Sequence, residues 1–208
     1  MMKRPFIIVA AVLLMTLGVL AASQWRQHLS PPDLKTSYLF PEARALAPFE
    51  LKDQHGSSFN NDSLKGKWSL IFIGFTSCPD ICPTTMGKLA AAYADLNEEA
   101  PLQVVFISVD PERDTQDKLA SYIEFFDPEF VAATAPHTEL FPLTRQLGMI
   151  YAMVGEGEDY TVDHSASMVL LNPKGEKVAV VKPRSEGKSL PQIRLQEMIA
   201  DVQAIQSL

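Results

Sequence analysis

Two uninterrupted apolar runs, "WSLIFIGF" at Trp68–Phe75 and "LQVVFISV" at Leu102–Val109, constrain the fold more than anything else in the chain. A strand with one wet face alternates apolar and polar side chains. A continuous run rich in β-branched and aromatic residues must be covered on both faces. Between the runs, Leu89, Ala90, Tyr93 and Leu96 recur at helical spacing within Met86–Asn97, and Pro101 stops the pattern. Thr115–Phe126 predicts a helix with Thr115 as N-cap, and Glu139–Leu147 predicts another closed by Gly148. Met149–Val154, Ser167–Leu171 and Lys177–Val181 read as strands, the last two joined by the turn "NPKGE". Leu190–Ile205 closes the chain as an amphipathic helix. Ahead of the first run, Pro48–Leu51 and Ser57–Phe59 flank a turn at Gly56. Alternating strands and helices followed by an antiparallel pair predict an α/β sandwich, with a central mixed β-sheet flanked by helices. The thioredoxin-like architecture has this order.

The N-terminus is a different kind of sequence. After Lys3 and Arg4, the segment Phe6–Ser23 is uncharged and dominated by Ile, Val, Leu, Ala and Met. About 17–25 apolar residues cross a bilayer as a helix. The basic pair in front keeps the N-terminus cytoplasmic. Ala21-Ala22-Ser23 also fits a signal-peptide cleavage site. The length of the run and the interfacial pair Trp25-Arg26 favour an uncleaved transmembrane helix. Residues 1–26 therefore read as a membrane anchor, 27–45 as a linker marked by Pro31, Pro32 and Pro41, and 46–208 as the folded domain. The domain would then lie outside the inner membrane of a bacterium, in the periplasm. A formal charge of −7, with no basic run beyond Lys3-Arg4, excludes nucleic acid as a natural partner.

The chain has two cysteines, Cys78 and Cys82, in "FIGFTSCPDICPT" directly after the first apolar run. A thioredoxin-like fold puts a reactive pair there, where the next helix opens. The partial positive charge and unpaired N–H groups of a helix N-terminus favour thiolate, the form that binds metals and attacks disulfides. Residues four apart share a helical face, so both sulfurs can meet one ion. Pro83 predicts an irregular turn at 79–82 and regular helix from Pro83 onward. A bridge closing so small a loop constrains the unfolded chain little, which argues against a purely structural staple. The spacing alone leaves a metal site and a redox pair level.

His164 tips that balance. It falls in the loop before Ser167–Leu171, which in a thioredoxin-like sheet faces the cysteine helix. Thioredoxins carry a substrate-guiding proline there, whereas this chain has none between Pro142 and Pro173. Two thiolates and an imidazole suit copper in either oxidation state. Zinc would want a fourth ligand, for which Asp163 is the candidate. His28, His55 and His137 read as solvent-exposed, and Met149, Met153 and Met168 as core. Asp110, Glu112, Arg113 and Asp114 read equally well as a charged turn or as a recognition cluster.

Three stretches together, "FIGFTSCPDICPT" (72–84), "ISVDPERDT" (107–115) and "DHSASMVLLNPKG" (163–175), resemble the Sco (SenC) family in order and spacing. The resemblance implies a membrane-anchored, thioredoxin-fold copper-binding protein of cytochrome c oxidase assembly. It implies copper held by Cys78, Cys82 and His164, and delivery of copper to, or thiol reduction at, the CuA site of oxidase subunit II. A copper donor or a thiol reductant in the periplasm would be the other partner. Asp163 matches the acidic residue beside the family's histidine, where it would fix the imidazole or tune the charge. Asp110 matches as a residue near the site. A metallochaperone rather than a conventional enzyme is implied. The alternative from the residues alone is a thiol–disulfide reductase, or a peroxide-handling enzyme, working through the same cysteine pair.

Overall fold

A computed structural model describes residues 13–18, 32–155, 157, 160–185 and 192–208. In chain order the elements are β1 (Ser37–Ala45), β2 (Glu50–Asp53), β3 (Ser58–Asn60), β4 (Trp68–Gly74), α1 (Ile81–Leu96), β5 (Leu102–Ser108), α2 (Gln116–Phe126), β6 (Val131–Thr134), α3 (His137–Leu147), β7 (Tyr151–Val154), β8 (Thr161–His164), β9 (Met168–Leu171), β10 (Glu176–Val181) and α4 (Leu195–Gln206). Eight strands form one mixed sheet in the order β1-β10-β9-β4-β5-β6-β2-β3, and β7 pairs with β8 apart from it.

The two apolar runs are the central strands. They pair parallel from Trp68 opposite Leu102 to Gly74 opposite Ser108. Every residue of β5 is buried, as is all of β4 after Trp68. Burying each of Leu70, Ile71, Phe72 and Ile73 stabilises the fold by roughly 1.5–3 kcal/mol relative to exposure. Two polar residues in this layer satisfy each other. The Gln103 amide donates to Ser69 Oγ at 2.8 Å and to the Ser63 carbonyl at 3.0 Å. β9 runs antiparallel to β4, with Met168 opposite Phe72. Met168 and Met149 are core residues, as the sequence predicts, and Met153 packs against the core.

Several sequence predictions need correction. Residues 37–45 do not belong to a linker: they form β1, paired antiparallel with β10 at the sheet edge. Pro41 lies where the pairing shifts register between Leu39 and Arg44, a place where a missing N–H costs nothing. The segment "VAAT" (131–134), for which the sequence pattern predicts no element, is β6 and joins β5 to the β2–β3 hairpin. His164 ends a strand rather than sitting in a loop. The last helix begins at Leu195, not Leu190. Thr115 does cap α2, and Gly148 closes α3 in the left-handed region at φ 82°. The anchor expected over residues 1–26 falls mostly outside the described residues, although 13–18 are helical. Among the described residues no helix is long and apolar enough to cross a membrane.

The start of β1 is held to α4 by one carboxylate. Asp201 accepts from the amides of Lys35 (2.9 Å), Thr36 (2.7 Å) and Ser37 (2.7 Å), and from Thr36 Oγ1 (2.9 Å). Burial raises its pKa, but these donors outweigh burial and hold the carboxyl below the usual range. A depressed carboxyl contributes its stability in full above its unfolded pKa of about 3.9, and that stability is lost as pH falls through the folded value. Asp201→Ala is expected to cost about 2–3 kcal/mol at pH 7. The wild type should lose stability below about pH 4 more steeply than the variant, so the gap between them narrows in acid. Urea unfolding at pH 7 and pH 3 measures both.

Candidate metal centre

β4 ends on a glycine for a steric reason. A Cβ on Gly74 would stand 2.7 Å from Cys82 Sγ and 2.8 Å from Phe106 Cε2. The missing side chain is therefore the seat of Cys82. The chain then turns through Phe75–Ser77, and a buried carboxylate from the next loop fixes that turn. Asp114 accepts from the Thr76 amide (2.9 Å), from Thr76 Oγ1 (2.6 Å) and from Ser108 Oγ (2.6 Å). The Cys78 amide donates back to the Phe75 carbonyl at 3.3 Å.

α1 begins at Ile81, earlier than Pro83 suggested. Pro83 is the third helical residue, and N–H groups of the first turn have no partner within the helix, so proline loses nothing there. Cys82 is consequently inside the first turn and buried, while Cys78 on the preceding loop is half-buried. The Cys82 amide points at Cys78 Sγ, 3.4 Å away.

The imidazole arrives from the far half of the chain. His164 lies opposite Tyr151 in the β7–β8 hairpin. Its ring sits edge-on to Phe72 at 5.8 Å and to Phe75 at 6.1 Å. Nδ1 is 3.1 Å from the Ser165 carbonyl oxygen. A carbonyl only accepts, so Nδ1 carries the proton and the lone pair is on Nε2. Nε2 stands 3.3 Å from Cys82 Sγ. Cys78 Sγ, Cys82 Sγ and the His164 ring all lie within 4.8 Å of one another. Donors sharing one ion at bonds of about 2.0–2.3 Å lie no more than about 4.6 Å apart, so a small inward adjustment closes the set. Two sulfurs and an imidazole suit a soft ion. Among the described residues no fourth Cys, His, Asp or Glu joins them, which fits a closed zinc site poorly.

The two thiols are unequal. The Cys78 pKa is lowered to about 4, chiefly by a hydrogen bond from the Cys82 thiol. Burial works against this, and His164 and the helix-start amides of Asp80 and Cys82 assist it. The Cys82 pKa is raised, because its proton serves the Cys78 sulfur and because burial disfavours a second thiolate. The pair holds a single negative charge, on the more exposed sulfur.

Asp163 does not hold the His164 ring. It is exposed, paired opposite Ala152, and the Ser165 carbonyl takes the imidazole proton instead. Asp110 is buried, but it holds Arg113 (Nε at 2.6 Å) and the Tyr160 hydroxyl rather than a sulfur or His164. His55 is exposed as predicted. His137 is not: it is half-buried, with Nδ1 2.7 Å from the Tyr151 hydroxyl. His28 lies outside the described residues. Sequence reasoning missed Gly74 and left Asp114 unassigned. A glycine inside an otherwise apolar run was the available signal for the first.

This is a thioredoxin-like domain with a Cys-x-x-x-Cys pair opening a helix and a histidine from a distant hairpin completing three donors. The SCO1/SenC family profile matches residues 40–199, and the chain belongs to that family. An SCO2-like protein of Rickettsia prowazekii is 42% identical over 132 residues, a match covering 62% of this chain and 64% of the relative. A Stutzerimonas stutzeri protein, provisionally named copper-binding, is 39% identical over 140 residues, covering 66% of this chain and 69% of the relative. The match thus spans about two thirds of these relatives' lengths. Among solved structures, Arabidopsis thaliana ScoI with copper bound superposes with a TM-score of 0.67 at 34% identity, over 78% of this chain and 98% of that one. Yeast Sco1 with copper bound gives 0.63 at 30%, over 77% and 89%.

Gly74→Ala is expected to destabilise the fold by about 1–3 kcal/mol through overpacking and to speed alkylation of Cys82. Urea unfolding and mass spectrometry of labelled thiols read the two effects. In the metal-free wild type, Cys78 should be alkylated with a midpoint near pH 4, while Cys82 stays protected until the alkaline range.

Proposed function

We propose that this protein is a membrane-anchored copper chaperone. It holds copper through Cys78, Cys82 and His164, and it supplies copper to the CuA site on subunit II of cytochrome c oxidase. The observation that carries the reading is the convergence of two sulfurs and an imidazole lone pair within 4.8 Å from opposite halves of the chain. Relatives at 30% and 34% identity have been solved with copper bound, which supports copper as the cargo. Three donors leave coordination positions open, so a recipient's thiolates can replace these ligands one at a time. Copper would enter from a periplasmic donor.

The uncharged run Phe6–Ser23 behind Lys3-Arg4 supports an anchor in the bacterial inner membrane, with the domain on the periplasmic side. In its described part, Leu13, Leu14, Met15 and Leu17 are exposed.

A second reading has its own observation. An accessible Cys78 thiolate beside a buried Cys82 thiol has the asymmetry of an attacking and a resolving sulfur. Attack on a partner disulfide would give a mixed disulfide at Cys78. Cys82 would then displace the partner thiolate, leaving Cys78–Cys82 oxidised and the partner reduced. The same chemistry would reduce the CuA cysteines before metal arrives, so the two roles are compatible. With a peroxide as oxidant, the Cys78 thiolate would instead take one oxygen to become a sulfenic acid, releasing water or an alcohol, and Cys82 would then displace water to give the same Cys78–Cys82 disulfide.

Titration of the reduced chain with copper is expected to give a one-to-one complex with sulfur-to-copper charge-transfer absorption. Cys78→Ala should abolish it, and His164→Ala should weaken Cu(II) binding most. Unchanged affinity and spectrum in both variants would contradict the ligand assignment. Metal-free disulfide turnover that survives His164→Ala would favour the reductase reading. The chain should stay with membranes after an alkaline carbonate wash and be cut by protease added to the periplasmic face.

A further inference from the structure

The hairpin that carries His164 is not part of the eight-stranded sheet, so something other than its ladder must hold the imidazole in place. Tyr151 of β7 is held by His137, whose Nδ1 is 2.7 Å from its hydroxyl, and on the β8 side Arg113 spans the gap. Arg113, in the loop after β5, gives Nε to the buried Asp110 carboxylate at 2.6 Å. Its NH1 group donates to the Tyr160 carbonyl at 2.8 Å. Its guanidinium carbon lies 3.8 Å from the centre of the Tyr160 ring and 5.8 Å from that of Phe75. The Tyr160 hydroxyl donates to Asp110 and also meets Glu112 at 3.3 Å, closing the ring of contacts. Tyr160 immediately precedes β8, which His164 ends, and Phe75 is one of the two rings against which His164 packs.

We infer that Arg113 is a positioning residue for the His164 ligand, pinning Tyr160 and hence β8 against the loop that leads to Cys78. This rests on the proposed copper site and names what holds its third ligand. A planar, always-charged guanidinium is the group for the task. It makes two in-plane hydrogen bonds and stacks on a ring face at once, which a lysine ammonium does not do. Without it, Tyr160 keeps its hydroxyl contacts to Asp110 and Glu112 and loses both its backbone tie and its stacking partner. The hairpin then moves, and the lone pair leaves the sulfurs.

The test uses the full chain in detergent and has one arm without metal and one with Cu(II). In the metal-free arm, hydrogen exchange of the Val162–His164 amides should be faster in Arg113→Gln than in wild type, while central β4 and β5 amides are unchanged. In the copper arm, Arg113→Gln should weaken Cu(II) binding by about 10–100-fold, the usual scale for losing a residue that orients a metal ligand. It should also reduce the imidazole nitrogen coupling in the electron paramagnetic resonance spectrum. Adding Arg113→Gln to His164→Ala should cost little more than His164→Ala alone, because both act through one ligand. Should Arg113→Gln unfold, with Asp110 left as an unpaired buried charge, the pair Asp110→Asn/Arg113→Gln takes its place. Wild-type exchange and nitrogen coupling in the variant, or fully additive losses in the double variant, would overturn the inference. If wild type binds no copper, the proposed function fails, and the exchange arm still decides whether Arg113 holds the hairpin.

Discussion

The site exists because β4 and β5 pair parallel and in register to their last residues, Gly74 and Ser108. Parallel strands that end together release their loops at the same edge of the sheet, the edge where ligands collect in open α/β folds. The Cys78 loop and the 109–115 loop are therefore neighbours, and Asp114 can tie one to the other. Antiparallel pairing of β9 does the rest. With Met168 opposite Phe72, the start of β9 lies near the end of β4, and whatever precedes β9 must hang over the same edge. His164 precedes it by four residues. Strand direction thus brings residues 82 positions apart to one edge of the sheet.

Electrostatics then separate two sulfurs that look alike in the sequence. Cys82 is inside the helix turn, in the hole left by Gly74, with Phe106 beside it. Cys78 is on the loop, with the Cys82 amide aimed at its sulfur. The hydrogen bond from the Cys82 thiol to the Cys78 sulfur draws the charge to the outer sulfur, with His164 and the helix-start amides assisting, and that same bond together with burial keeps the inner thiol neutral. One accessible thiolate, one protected thiol and one imidazole lone pair form a site that can take a soft cation without first losing two protons to water. The same asymmetry of one accessible and one protected sulfur is what thiol exchange requires.

Much of this was legible from residues, and the misses have physical causes. The central strands were plain because burial on both faces leaves continuous apolar runs. Thr115 and Gly148 announced helix ends because capping is a local chemical requirement. β1 was obscured by prolines, yet Pro41 is tolerated at an edge strand where the register slips. β6 is short and its small alanines carry a weak pattern. Pro83 misled because its cost depends on helix position, which the sequence did not fix. Asp163 and His164 are neighbours on β8 and face opposite ways, so adjacency in sequence does not put the carboxylate on the imidazole. Gly74 stands out as a glycine in an apolar run, but its role, like that of Arg113, rests on contacts between segments distant in sequence.

The central claim is that the copper ligands are two sulfurs from one end of the domain and one imidazole from the other. X-ray absorption at the copper edge of the loaded chain tests it directly. The account predicts a shell of two sulfurs and one nitrogen with the outer-ring scattering of imidazole, and loss of that nitrogen component in His164→Ala. A sulfur-only shell in the wild type, or an imidazole signal that persists without His164, would contradict it.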